Sequence, residues 1–254
     1  MALFTDGAIS GLEDLQHYEN SVLDIAATEG IDLTAKLSLA QDELANQILL
    51  YILRHPIRDT KAAVRRSVGL GDVVSTGPLK KWHALTALAM IYRDAYNNQL
   101  NDRYLGKWNE YQQLAQAAAT DYLQLGVGVV ADPIIKPAGP ALSAVAGSGP
   151  GGTYFVAISW VNTEGQEGTV SDVQSETTDP GMQLQVSPLN PPANAAGWNL
   201  YAGAGANNLA LQNALPISIG RSWTLGGVLA SGTAPSEGQA PERFLVHDRL
   251  LQRG

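Results

Sequence analysis

The sequence of 254 residues contains no cysteine. Disulfides, thiolate nucleophiles and cysteine-ligated metals are therefore excluded, and a cytosolic origin is expected. No apolar run approaches the roughly 20 residues that a membrane-spanning helix needs. The first fifteen residues lack the basic and apolar regions of a secretion signal. We therefore expect neither an export signal nor a membrane partner.

Basic residues are scarce, because 16 Lys and Arg stand against 24 Asp and Glu, for a net charge of −8. The imbalance is steepest in residues 132–238, which carry 2 basic and 7 acidic side chains. An acidic surface cannot bind a phosphate backbone by releasing its counterions. We expect that any DNA meeting this protein passes it without specific binding.

Patterns that carry chemistry are missing as well. The four histidines are scattered, and His83, beside Trp82, is expected on a helix surface or at an interface. The stretch GLGDVV at 69–74 lacks the third glycine and the preceding strand of a dinucleotide fingerprint. No two carboxylates form an evident acid/base couple, which a glycan hydrolase with an appended β-domain would require. The sequence predicts no cofactor, no metal site and no enzyme.

Residues 1–131 have the periodicity of helices. Apolar residues recur at steps of three and four in residues 10–29, 34–55, 79–96 and 104–125. Ser10 and Glu13 have the spacing of a capping box, Pro56 ends the second helix and Pro78 begins the third. Four amphipathic helices with short connections predict a four-helix bundle.

The following segment has a different texture. Residues 132–152 are rich in Gly and Pro, which predicts a linker, with PAGPALSAVAG as a candidate first strand. Residues 153–230 predict six or seven short strands with turns between them. One face of the first holds Tyr154, Val156, Ile158 and Trp160, and further strands are TVSDVQSET, MQLQVS, GWNLYAG, LALQNA and SWTLGG. This spacing is typical of a β-sandwich, so we predict an α+β chain of two domains.

Residues 231–254 predict a flexible linker and a C-terminal docking arm. The arm combines apolar and basic side chains, namely Arg243, Phe244, Leu245, Arg249, Leu250, Leu251 and Arg253. An end this apolar either packs back on its own domain or inserts into an adjacent subunit or partner, where it becomes ordered on contact. A second basic cluster, Lys61, Arg65 and Arg66, is a candidate for a loop that faces a partner or DNA, although a solvated face is the commoner reading.

Two stretches resemble known modules. GTYFVAISWVNTEGQEGTVSD and PANAAGWNLYAGAG are similar to fibronectin-III/Ig-like modules of tailed-phage structural proteins. The resemblance rests on Gly152, Tyr154, Trp160, Gly165, Gly168 and residues 197–201. The four helices, with SLAQDELANQILLYILRH as the second, resemble the small head-to-tail adaptor (connector) proteins of tailed phages.

The resemblance implies a structural role in the neck of a virion that is assembled in the host cytoplasm. Copies would form a ring of about twelve beneath the portal protein, and the arm would reach the portal while tail or nozzle proteins bind below. The alternative is a tail, fibre or capsid-decoration protein whose sandwich contacts host glycans or the capsid. Exposed aromatic residues on the sandwich loops would favour that alternative.

Overall fold

A computed structural model describes residues 1–54, 68–99 and 102–246. The chain forms two compact units. The helical unit comprises Gly7–Val130 and Pro241–Gly254, and the β unit comprises Met1–Asp6 and Ala131–Ala240. The fold is therefore mixed α+β. Residues 231–254, predicted as one linker and arm, are divided between the units after Ala240, and residues 132–152 lie in the β unit.

The described part of the helical unit contains five α-helices: α1 (Leu12–Tyr18), α2 (Val22–Glu29), α3 (Leu33–Arg54), α4 (Gly77–Gln99) and α5 (Asp102–Leu125). The three long helices confirm the predicted ones within a few residues. A short 3₁₀ turn, Leu70–Asp72, precedes α4.

The prediction of one helix over residues 10–29 is wrong, because α1 ends at Tyr18 and α2 begins at Val22. Glu19 is extended, and its carboxylate accepts hydrogen bonds from the Ser21 hydroxyl at 2.7 Å and the Ser21 amide at 3.4 Å. Such local bonds offer the backbone an alternative to the helix. The predicted capping residues are also displaced, since Gly11 is the N-cap of α1 and donates its N–H to Asp14 at 2.8 Å.

Helix α4 is the centre of the helical unit and packs against all four other helices. Its buried residues therefore surround its axis, and all of them are apolar or aromatic except His83. Aromatic residues of α4 and α5 fill this core: Trp82 contacts Tyr122 with ring centroids 5.6 Å apart, and Tyr92 stacks on Tyr111 at 5.4 Å.

The described strands are β1 (Val127–Val129), β2 (Ala141–Ala146), β3 (Gly152–Asn162), β4 (Gln174–Thr178), β5 (Met182–Ser187), β6 (Ala195–Gly203), β7 (Ala210–Leu211), β8 (Ile217–Ser218), β9 (Trp223–Thr224) and β10 (Arg243–Leu245). All pairs are antiparallel. The β unit has a sheet of order β4-β3-β6-β7, with β8 also on β6, and a sheet of order β2-β5-β9. Strands β1 and β10 form a separate ribbon in the helical unit.

The core of the β unit lies between its two sheets. The predicted alternation of β3 is confirmed, since its inward side chains share one buried cluster with side chains of β5 and β6; these are Tyr154, Val156, Ile158, Trp160, Leu184, Val186, Trp198 and Leu200. On the other face of β3, Ala157 packs with Tyr201 and Leu209 in a smaller cluster. The residues between 131 and 153 contribute β2, in the stretch predicted as a candidate first strand.

Candidate interaction surfaces of the helical unit

The described part of the arm is a strand of the helical unit. Antiparallel pairing places Arg243 opposite Val129 and Leu245 opposite Val127. Leu245 is buried, whereas Phe244, on the other face of the ribbon, is half-exposed. For residues 243–245, the first of the two alternatives therefore holds: this part of the arm packs on its own unit.

Two contacts hold this strand. The hydroxyl of Tyr51 on α3 lies 3.2 Å from the carbonyl oxygen of Leu245 and 3.2 Å from that of Leu123 on α5. It donates its single proton to one of these two oxygens. Gly126 has φ +99°, and a Cβ there would lie 2.8 Å from the Leu245 carbonyl oxygen and 2.9 Å from Val246 Cγ2. Only glycine allows the ribbon to close this tightly.

The remaining predicted contact residues lie outside the described residues. They are Arg249, Leu250, Leu251 and Arg253 of the arm, and Lys61, Arg65 and Arg66 of the loop. Their contacts with a partner or with DNA remain predictions.

Helix α3 exposes leucines on the side opposite its buried residues. Three of them near the end of the helix, between 38% and 67% exposed, form what we term the leucine surface: Leu49, Leu50 and Leu53. Leu39, 50% exposed, lies ten residues earlier, about 15 Å away along the helix axis. The buried side of the same helix holds Leu37, Leu44 and Ile48. Clustered apolar side chains in water are typical of a surface that another protein covers. Sequence reasoning missed this surface, although its signal was visible: α3 has more leucines than one stripe can bury.

A groove lies between α3 and α5. Both helices pack against α4, and the groove between them has a volume of about 400 Å³. Residues of all three helices line it: Glu43 and Gln47 of α3; Trp82, Thr86, Ala89, Met90 and Arg93 of α4; and Trp108, Gln112, Ala115, Gln116 and Ala119 of α5. Its floor is mostly apolar and its rim is mostly neutral and polar. This groove was also not predicted, since it depends on how three helices pack.

Titratable side chains of the helical unit are held in structural networks. Tyr111 donates a hydrogen bond to Glu19 at 3.0 Å, and Lys107 lies 3.5 Å from the same carboxylate. Burial alone raises the pKa of Glu19, but hydrogen bonds from Ser21, Tyr111 and Tyr92 outweigh it and lower that pKa to about 2. The network therefore ties the α1–α2 turn to α4 and α5 as long as Glu19 is ionised.

His83 belongs to a second network. It is completely buried, so its predicted place on a helix surface or at an interface is wrong. Its Nε2 lies 2.9 Å from the Leu37 carbonyl oxygen and its Nδ1 lies 2.9 Å from the Ser10 hydroxyl. A carbonyl only accepts, so Nε2 carries the proton. Burial lowers the pKa of His83, which leaves Nδ1 as an acceptor. The Ser10 hydroxyl donates its single proton either to this nitrogen or to the Lys80 carbonyl oxygen, which lies 3.2 Å away.

Within the described ranges, no three carboxylate or imidazole side chains are grouped so that they could share a metal ion. None of the described helices combines the length and apolarity of a membrane span. No family model matches the sequence, and no curated protein matches it. The features of the helical unit described above are the β1–β10 ribbon, the leucine surface and the groove.

Proposed function

We propose that this chain is a structural virion protein, a head-to-tail adaptor that forms a ring beneath the portal protein in the virion neck. The helical unit acts as a four-helix-bundle collar, with α1 and α2 together in the place of one helix. The β unit is a fibronectin-III/Ig-like sandwich that tail or nozzle proteins contact. The ring joins capsid to tail, and DNA passes through it.

The leucine surface is the observation that carries this proposal. Covering a half-exposed leucine contributes roughly 1 kcal/mol, so these three leucines supply part of the binding energy for a neighbour. In a closed ring each copy presents this surface to a different surface of the next copy. A twelvefold portal above the ring sets the number of copies at about twelve. The net charge of −8 repels the phosphate backbone, so DNA passes through the ring without binding to it.

The alternative, a fibre or decoration protein that binds glycans through its sandwich, has less support. It needs exposed aromatic side chains, but Trp160 and Trp198 are buried and Trp223 packs against the same core. Stable trimers that bind oligosaccharide would favour this alternative over the adaptor.

The double variant Leu50→Glu, Leu53→Glu tests the proposal. Electron microscopy should show the wild-type chain as a monomer alone and as a ring when it is mixed with the portal protein. The double variant should keep its helical circular dichroism and form no ring, since charges cannot be covered by an apolar neighbour. Leu215→Glu, at an 80% exposed leucine of the β unit, is the matched control and should assemble normally. Normal rings from the double variant would remove the leucine surface from the proposal.

The arm has its own test. Removing residues 241–254 would also remove β10 and its contact with Tyr51, so truncation after Val246 is the cleaner change. The truncated chain should keep its helical signal and lose docking to the portal, because residues 247–254 carry four of the arm's seven predicted contact residues, namely Arg249, Leu250, Leu251 and Arg253. Docking that survives the truncation would exclude these residues from the contact.

A further inference from the structure

The C-terminal strand leaves the helical unit at one end of the groove. Tyr51 follows the groove residue Gln47 by one turn on the same face of α3, and Leu123 follows the groove residue Ala119 by one turn on α5. The Tyr51 hydroxyl lies 3.2 Å from the carbonyl oxygens of both Leu123 and Leu245. Leu245 is therefore held one helical turn beyond the groove, next to α3 and α5, which form its walls.

The direction of the strand leads toward the groove. Because β10 is antiparallel to β1, each step along β10 moves back toward the end of α5. Leu245 lies opposite Val127, and Val246 Cγ2 lies 2.9 Å from the position that a Cβ of Gly126 would take. At Val246 the described chain has therefore reached Gly126, the residue directly after α5.

The remaining chain is long enough to fill the groove. Eight residues, HDRLLQRG at 247–254, follow Val246. Fully extended, they span up to about 26 Å. The groove floor from Trp82 to Arg93 on α4 is about 16 Å long at the rise of an α-helix.

The chemistry of the two partners also matches. The segment carries the apolar pair Leu250 and Leu251, and the groove floor offers the faces of Trp82, Ala89 and Met90. The segment also carries two arginines. On the groove wall, the Glu43 carboxylate accepts a hydrogen bond at 3.0 Å from the neutral amide of Gln47. The groove also holds Arg93, whose Nε lies 3.5 Å from the Asp94 carboxylate.

We propose that residues 247–254 occupy the groove of their own chain in the unassembled protein. Leu250 and Leu251 cover the apolar floor, and an arginine pairs with Glu43. The same segment of a second copy has the same chemistry and could bind the groove as well. The chain's own segment is favoured, because it is tethered next to the groove and its effective concentration there is in the millimolar range. The inference goes beyond the proposed function, because it concerns a single copy and needs neither ring nor portal.

Paired cysteines test this contact in a chain that has no cysteine of its own. In the variant Gln112→Cys, Gln252→Cys, the first thiol lines the groove and the second lies beyond the leucine pair, which stays intact. Under mild oxidation we expect an intramolecular disulfide in the monomer, detected as a mobility shift and a mass loss. Its rate should not depend on protein concentration. The matched control is Gln113→Cys, Gln252→Cys, at the next, exposed glutamine of α5, and should react at least tenfold more slowly.

Equal rates for the two pairs would overturn the proposal. Disulfide-linked dimers whose rate rises with concentration would also overturn it, because a second copy would then be the occupant.

Methionine oxidation supplies a second measurement without new side chains. Met90 lines the groove, whereas Met182 lies in the β unit, and both are partly buried. In the chain truncated after Val246, peroxide should oxidise Met90 severalfold faster than in the full chain, while Met182 should react at an unchanged rate. An unchanged rate at Met90 in a folded truncated chain would contradict occupancy of the groove. Both experiments use the monomer, so their results can be interpreted even if the protein forms no ring.

Discussion

Replacing Gly126 by alanine should detach the C-terminal strand from the helical unit. A side chain at φ +99° costs about 1–3 kcal/mol in backbone strain. The new Cβ would also lie 2.8 Å from a backbone oxygen of Leu245, so the strand has to shift and Leu245 loses burial worth roughly 1 kcal/mol. We expect a total loss of about 2–4 kcal/mol in the free energy of unfolding of the helical unit. Urea unfolding followed by circular dichroism at 222 nm measures it.

The same substitution at Gly106 is the control. Gly106 lies inside α5, and a Cβ there would meet no atom within 4 Å. Alanine is the better helix former, so Gly106→Ala should stabilise the unit by roughly 0.5–1 kcal/mol. Hydrogen exchange at Val127–Val129 should accelerate in Gly126→Ala alone. A Gly126→Ala chain as stable as the wild type would refute the tight closure of the ribbon.

Two further changes probe the networks and the core. The folded pKa of Glu19 is about 2 against an ordinary 4.5, so its contribution to stability is complete above pH 4.5 and is lost as the pH falls toward 2. Tyr111→Phe removes one of its donors and should weaken this acid dependence in urea titrations between pH 2 and 6; an unchanged dependence would contradict the assigned network. In the β unit, Trp198→Ala should cost about 3–5 kcal/mol because it empties the core between the sheets. Val228→Ala, at an exposed valine, should stay within about 0.5 kcal/mol of wild type, and equal losses at the two sites would contradict the core assignment.

Local patterns were sufficient where one periodicity decides the structure. The alternation of Tyr154, Val156, Ile158 and Trp160 predicted which side chains of β3 share the core between the two sheets, since a strand repeats every two residues. The stripe Leu37, Ala40, Leu44 and Ile48 likewise predicted the buried face of α3.

Contacts between distant residues could not be predicted in this way. The break between α1 and α2 depends on Glu19, which Tyr111 reaches from 92 positions along the chain. The burial of His83 depends on Ser10 and Leu37, which are 73 and 46 positions away. The groove exists only because α3 and α5 both pack on α4. By contrast, the leucine surface could have been found by asking what remains on α3 after its buried stripe is assigned.

Electron microscopy of the chain assembled on its portal protein tests most directly whether identical copies cover each other's leucine surface. We predict a closed ring of about twelve copies in which Leu50 and Leu53 of each copy are buried against the next. A single copy at the portal, or a ring in which these two leucines face solvent, would contradict the proposed adaptor.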